Sequence, residues 1–219
     1  KVPVEPRDIS WKTLRADEPL RPAVELGEDQ ERRLWELLRA DYQPLVRFIL
    51  TSGVRSVSGA LSMRRRGPHA VDLEQRIAWV ERKTKRRGVE WAKIPLSDEH
   101  VAIIATELAK HDLDEVWSYV GQRGEDKGER APITDAGFAT LWQRVCRKVG
   151  MRFRRHDLRH DFAIKLRRAT GDLALVQRAL HHSSIAVTAR HYAHVMDDDV
   201  RRGQEIVSQS RNSPGSRKA

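Results

Sequence analysis

Between Arg152 and Val195 the chain reads RFRRHDLRHDFAIKLRRATGDLALVQRALHHSSIAVTARHYAHV, and four residues in it could act together on one bond. His156 and His182 can carry a proton near neutral pH. Arg159 holds a permanent charge on a planar fork that can grip two oxygens at once. Tyr192 offers a phenol oxygen as nucleophile. His156 and Arg159 stand three residues apart, which puts them on one face of a helix. From Arg147 to Arg168 there are nine Lys or Arg residues against two Asp, with Arg152, Arg154 and Arg155 among them. A dense positive field around a candidate nucleophile points to a phosphate substrate.

The whole chain leans the same way. Its 219 residues hold 41 Lys plus Arg against 31 Asp plus Glu, a net charge of +10. That balance favours a polyanionic partner: DNA, RNA or an anionic membrane surface. The length allows one or two domains with a real core. The single Cys146 excludes an internal disulfide framework and a Cys-rich zinc module, and its helical surroundings suit a buried structural thiol. No apolar run approaches the length of a membrane span, and no secretory leader is visible. A chain that opens on Lys1 is expected to be part of something longer.

The elements that must position these residues are legible in outline. Residues 1–20 are charged, Pro-containing and without period, and read as a linker. Leu26–Ala40 predicts a helix with acidic residues in its first turn and an apolar stripe at Leu34, Leu37 and Leu38. A second helix follows, with Pro44 in its first turn, Gly53 at its end, and Leu45, Phe48 and Ile49 in the core. Arg55 comes just after. Residues 70–73, 77–82 and 89–94 alternate or are rich in β-formers, and predict a three-stranded antiparallel meander. Its second turn carries Lys83, Lys85, Arg86 and Arg87. Such a run is either a solvated turn or a hairpin that enters a DNA groove. Ser97 caps a further helix. A short strand leads to a charged, Gly-rich loop over residues 121–130, expected to be mobile. Thr134 and Gly150 bound a helix whose aromatic face, Phe138 and Trp142, reads as core rather than as a base-stacking platform. Helices follow at 156–169, at 172–181 and after Ser183 or Ser184. A short helix ends near Val207, before a polar tail. The fold class is mainly α with a small antiparallel sheet.

The motifs HDLRHDFA and ALHHSSIAVTARHYAH, in this order, resemble the tyrosine recombinase (phage integrase) family over about residues 20–200. Its pattern is His-x-x-Arg, then a His or Trp, then a nucleophilic Tyr. The resemblance also implies a Gly-x-Arg opening a helix, matched by Gly53-Val54-Arg55, and a catalytic Lys on the hairpin. Lys83 fits best there, with Lys85 the alternative. Three departures stand out. Gly59 stands near the family's Glu, with the apolar spacing beyond off by one. His181 replaces a Gly that helps a turn, and strain is expected there. Tyr192 also comes one place later than in many members, with His191 filling the gap.

The resemblance implies a role for each residue. Tyr192 attacks the scissile phosphate and stays on the 3′ side. Arg55 and Arg159 clamp the non-bridging oxygens, and His182 hydrogen-bonds the phosphate. Lys83 protonates the leaving 5′ oxygen, and His156 assists proton transfer. Arg152, Arg154, Arg155, Lys85, Arg86 and Arg87 are the DNA-binding candidates. Because the phosphotyrosine stores the bond, strand exchange needs no cofactor, neither metal nor ATP. Implied too are a catalytic domain over 21–200, a separate N-terminal domain that clamps DNA, and a homo-tetramer on double-stranded DNA attachment sites. Segment 201–219 would be loose or exchanged between subunits. Accessory DNA-bending proteins are a further implied partner, and no membrane is involved. The setting would be the cytoplasm, at bacterial or phage DNA.

Other functions share some of these residues. A basic helical regulator reading the major groove would explain the charge, but would not demand Tyr192 or the spread of Arg55, Lys83 and Arg159. A type IB topoisomerase uses a similar residue set. A metal enzyme could use His156 and His160, four apart, but Asp157 and Arg159 stand where a metalloprotease needs a Glu and no repelling cation. Taken singly, Arg55 is an ordinary surface Arg and Tyr192 a packing Tyr; only the ordered set is specific.

Overall fold

In a computed structural model the molecule is described at residues 24–84, 88–182, 184–186, 188–189, 200–201 and 203–209, with backbone alone at 82–84 and 88–89. The helix that the rest packs around is Gln43–Ser52 (α2), which follows Glu28–Leu37 (α1). Leu45, Val46, Phe48 and Ile49 of α2 are fully buried. Each contributes about 1.5–3 kcal/mol of burial. Pro44 sits in its first turn, and Gly53 ends it in a left-handed conformation, φ 67°. Gly53 is doubly required, because a Cβ there would lie 2.2 Å from the Phe162 ring.

Further along the chain come strands Ile77–Thr84 (β1) and Gly88–Pro95 (β2), helix Asp98–Leu108 (α3), strands Ser118–Val120 (β3) and Arg130–Pro132 (β4), and helices Asp135–Val149 (α4), Asp157–Thr170 (α5) and Leu173–Ala179 (α6). α2 packs against α3 and α5, α1 against α4, and α5 against α6. The caps fall where the sequence puts them. Ser97 accepts from His100 N at the start of α3, Thr134 accepts from Gly137 N at the start of α4, and Gly150 closes α4 with φ 80°. One main core joins α1, α2, the β1–β2 hairpin, α3 and α4. Ala163, Ile164, Val176 and Leu180 form a smaller core of their own between α5 and the α6 end. Phe138 and Trp142 are buried, as expected of core aromatics. Among the described residues no helix is long and apolar enough to cross a membrane.

The expected three-stranded meander is corrected to two strands. β1 and β2 pair antiparallel, with Ala78 opposite Ile94 and Val80 opposite Ala92. Residues 70–73 contribute only isolated bridges, Asp72 to Ile77 and Ala70 to Arg64. Asp72 and Ile77 exchange both backbone bonds around a tight turn, and the Asp72 carboxylate accepts from Gln75 N at 2.8 Å. The next bond, Val71 N to Arg64 O at 2.9 Å, draws the chain off the sheet after a single pair. β3 and β4 form a second antiparallel pair. The Gly-rich connection between them is held by Gly121 N to Glu129 O at 2.8 Å and Gly128 N to Gly121 O at 2.9 Å, so it is a hydrogen-bonded hairpin rather than a loose loop.

Two smaller expectations change. Leu37 is 39% exposed, because α1 ends at Leu37 and the extended Leu38 turns into the core instead. The segment after Arg55 is not an α-helix. Ala60 N bonds Arg55 O at 2.8 Å and Leu61 N bonds Ser56 O at 2.9 Å, two wide i+5 turns that lead into a 3-10 turn at Ala60–Ser62. Wide turns of this kind take up one extra residue, which accounts for the apolar spacing being off by one. Gly59 belongs to this bulge, since a Cβ there would meet Arg55 O at 2.3 Å.

Candidate active site

α5 begins where the His-x-x-Arg stretch begins. The buried Asp157 caps the preceding backbone, its carboxylate accepting from Arg154 N at 2.7 Å. An acidic side chain in the first turn also meets the positive end of the helix. His156 sits at the N-cap with helical φ and ψ, and its ring meets that of His160 edge-on at 4.8 Å. One turn in, Arg159 points into the protein and is 4% exposed. Its Nη1 donates to the Gly53 carbonyl at 2.7 Å, and its Nη2 donates to the Leu180 carbonyl. One guanidinium therefore ties the start of α5 to the end of α2 and to the end of α6.

Those two ends carry the other candidates. Arg55 lies two residues beyond Gly53, exposed, and its guanidinium has no hydrogen-bond or ion-pair partner among the described residues. Arg55 and Arg159 line one narrow cleft of about 20 Å³, together with Glu81 of β1, Ile94 of β2, Leu180 and His181. That is room for a water but not for a phosphate, so an anion would sit at the rim. Arg55 also lines an adjoining open depression of about 340 Å³ with Ser56, Ser58, Arg154, Arg155 and His156. Arg155 is partly engaged there, paired with the Asp135 carboxylate and stacked over the Phe138 ring at 5.7 Å.

The positive run from Arg147 to Arg168 does not act as one field. Lys165 is spent on Glu31 and Asp161, and Arg168 on Glu25, on the side of α5 that meets the α1 end. The cations left around the cleft and depression are Arg55, Arg154 and Arg155, with Arg159 beneath. Arg152 is exposed nearby in sequence but lines neither.

His182 follows the cleft-lining His181. Its Nδ1 hydrogen-bonds the buried Thr188 hydroxyl at 2.8 Å, and its carbonyl accepts from Gln177 Nε2 at 3.2 Å. Lys83 lies in β1 opposite Val89, two residues past Glu81 of the cleft, with its side chain outside what the structure describes. Tyr192, Lys85, Arg86 and Arg87 lie outside the described residues. So does the 1–20 segment. Sequence reasoning missed Glu81, which lies in no motif, and Thr188, which lies within ALHHSSIAVTARHYAH but was not singled out. It noted His181 only as a replacement for Gly. Among the described residues no group of three or more His, Cys, Asp or Glu could hold a metal ion.

Comparison with known proteins places these residues in context. Residues 25–199 match the model of the phage integrase family. The integrase of Salmonella phage P22 is 24% identical over 200 residues, covering 84% of this chain and 49% of that protein. Transposase A from transposon Tn554 of Staphylococcus aureus is 33% identical over 70 residues, covering 32% of this chain and 19% of that protein. The chain thus spans about half the length of the first relative, or less of the second. Among solved structures, the Tn1549 transposon integrase in complex with a circular intermediate DNA superposes with a TM-score of 0.62 at 17% identity, over 91% of this chain and 70% of that one. XerA recombinase gives 0.58 at 25% identity, over 89% and 68%. The catalytic domain of bacteriophage HP1 integrase gives 0.51 at 20%, over 80% and 89%.

Proposed function

This chain belongs to the phage integrase family, and on that premise we propose that it is the catalytic portion, residues 21–200, of a site-specific DNA recombinase. Its substrate is a phosphodiester of double-stranded DNA. The Tyr192 oxygen attacks phosphorus and the bond to the 5′ oxygen breaks. Lys83 gives that oxygen its proton, and His156 assists proton transfer by taking up the proton that the Tyr192 hydroxyl loses. The product is a 3′-phosphotyrosine, which a 5′ hydroxyl of another strand later attacks, expelling the Tyr192 oxygen. Each step exchanges one phosphodiester for another, so the bond energy is conserved.

The observation that carries this reading is the shared cleft of Arg55 and Arg159, held by the Arg159 bonds to Gly53 and Leu180. One guanidinium at the rim, that of Arg55, and a second beneath it, that of Arg159, suit the non-bridging oxygens of a phosphate as charge builds on them. The open depression beside it, with Arg154, Arg155 and two serine hydroxyls, suits the neighbouring DNA backbone. His182, fixed by Thr188, completes the phosphate contacts in this reading.

Assembly as a homo-tetramer on two DNA sites, with or without DNA-bending proteins, belongs to the same proposal. Residues 203–209 are helical, and Ile206 and Val207 are 61% and 52% exposed, an apolar edge suited to a neighbouring subunit. Residues 1–20 would then lead from a domain that clamps DNA. The test uses nicked duplexes bearing candidate attachment sites. Wild-type chain is expected to leave a protease-resistant peptide adduct at Tyr192, and Tyr192→Phe to bind the duplex without the adduct. A Tyr192→Phe protein that is still trapped on the DNA would overturn the assignment.

A further inference from the structure

His181 is one of two described residues other than glycine with a positive φ, at 48°. Only glycine adopts that region without cost, and a larger residue persists there when its surroundings fix it. The surroundings here are specific. The Leu180 carbonyl, on the peptide just before His181, accepts from Arg159 Nη2. His181 N bonds Arg178 O at 3.0 Å, and His182 N bonds Gln177 O at 3.1 Å. Leu180 itself is fully buried in the small α5–α6 core. The turn is therefore pinned before, at and after His181. The same pinning brings the residue to the cleft that Arg55 and Arg159 line, where it remains only half-buried.

A glycine would make this turn more easily. What the histidine adds is an imidazole at the cleft. Arg159 lies beneath, tied to two carbonyls, so the polar side chains of the lining that keep solvent access are Arg55, exposed, and Glu81 and His181, each half-buried; of these only Arg55 and His181 can donate to an anion. We propose that His181 is a further phosphate-binding residue, whose imidazole N–H donates to a non-bridging oxygen of the phosphate that Arg55 grips. The proposal rests on the reading of this cleft as a phosphodiester site.

Two measurements test it. In side-chain NMR of the 219-residue chain titrated with inorganic phosphate, the His181 ring resonances are expected to shift and saturate together with the Arg55 Nε signal. In covalent capture of nicked DNA, His181→Gly is expected to be at least about tenfold slower while its melting temperature stays equal or rises. His181→Asn tolerates positive φ and keeps an N–H donor, and should fall within about threefold of wild type. The proposal is overturned if His181→Gly captures DNA at the wild-type rate, or if Asn and Gly are equally slow. It is also overturned if phosphate moves Arg55 but leaves the His181 ring unchanged, a result that would spare the cleft as a phosphate site. Should phosphate move neither residue and no adduct form, the recombinase reading fails together with this one.

Discussion

Arg159 Nη1 donates to the Gly53 carbonyl at 2.7 Å, across 106 residues of chain, and this bond fixes where Arg55 begins. The same side chain holds the Leu180 carbonyl, where the turn of His181 and His182 begins. A cation that its motif marks as a substrate clamp is thus also the tie between three segments.

Arg159→Lys should show that double use. A lysine head is one compact charge and cannot bridge two carbonyls in fixed geometry. Leaving a buried carbonyl unpaired should cost about 1–3 kcal/mol in urea unfolding. Arg55→Ala, by contrast, removes an exposed side chain and should change stability by no more than about 0.5 kcal/mol. Both should lower covalent DNA capture by about 10²-fold or more. Equal stability losses in the two variants would contradict this division of labour.

Gly59→Ala probes the bulge after Arg55. The added methyl would meet Arg55 O at 2.3 Å and Arg55 N at 2.8 Å, so the backbone must move. A loss of about 1–3 kcal/mol is expected, with a fall in capture rate greater than the loss of folded protein explains. Capture at the wild-type rate by the folded variant would show that the Arg55 backbone position is not critical.

Asp161 gives a pH signature. It is fully buried on α5, its Oδ1 accepting from Leu26 N at 2.8 Å and its Oδ2 lying 3.1 Å from Lys165 Nζ. Burial raises its pKa above the ordinary 3.8, against the lowering effects of the Leu26 N–H and the Lys165 charge. The folded state therefore holds this proton more tightly than the unfolded state. The contribution is full below pH 3.8 and is lost as pH rises through the raised folded value. Wild-type stability minus Asp161→Asn stability should accordingly decline over that window and then level off. A difference that rises with pH instead would reverse the sign.

Cys146 should be inert in the native protein. Burial pushes its thiol up to about 11, and its Sγ donates to the Phe153 carbonyl at 3.2 Å. A thiol reagent at pH 8 should label it only at the rate of unfolding, so added urea should accelerate labelling in step with loss of structure. Fast labelling of folded protein would show a more open α4 than described.

Local chemistry was readable from the sequence because its signals are short-range. Helix caps at Ser97, Thr134, Gly53 and Gly150 depend on a few neighbouring atoms, and each is where its residue type puts it. The apolar period placed Leu45, Phe48 and Ile49 in the core for the same reason. The third strand failed because the mostly apolar patterning of residues 70–73 reads as a strand, yet the Asp72 turn and the Arg64 bridge compete for their backbone. No propensity of that stretch reports a bond to a residue earlier in the chain.

What the sequence determined by itself was the family, the ordered set of candidate residues, the basic balance and the strain to be expected at His181. What only the tertiary structure decided was which of those residues meet. Arg55 and Arg159 share a cleft, Lys165 and Arg168 turn away to Glu31, Asp161 and Glu25, and His181 joins the rim. The physical reason is that a guanidinium reaching two backbone carbonyls leaves no trace in spacing or composition. Its partners are atoms that every residue owns, and distance alone selects them.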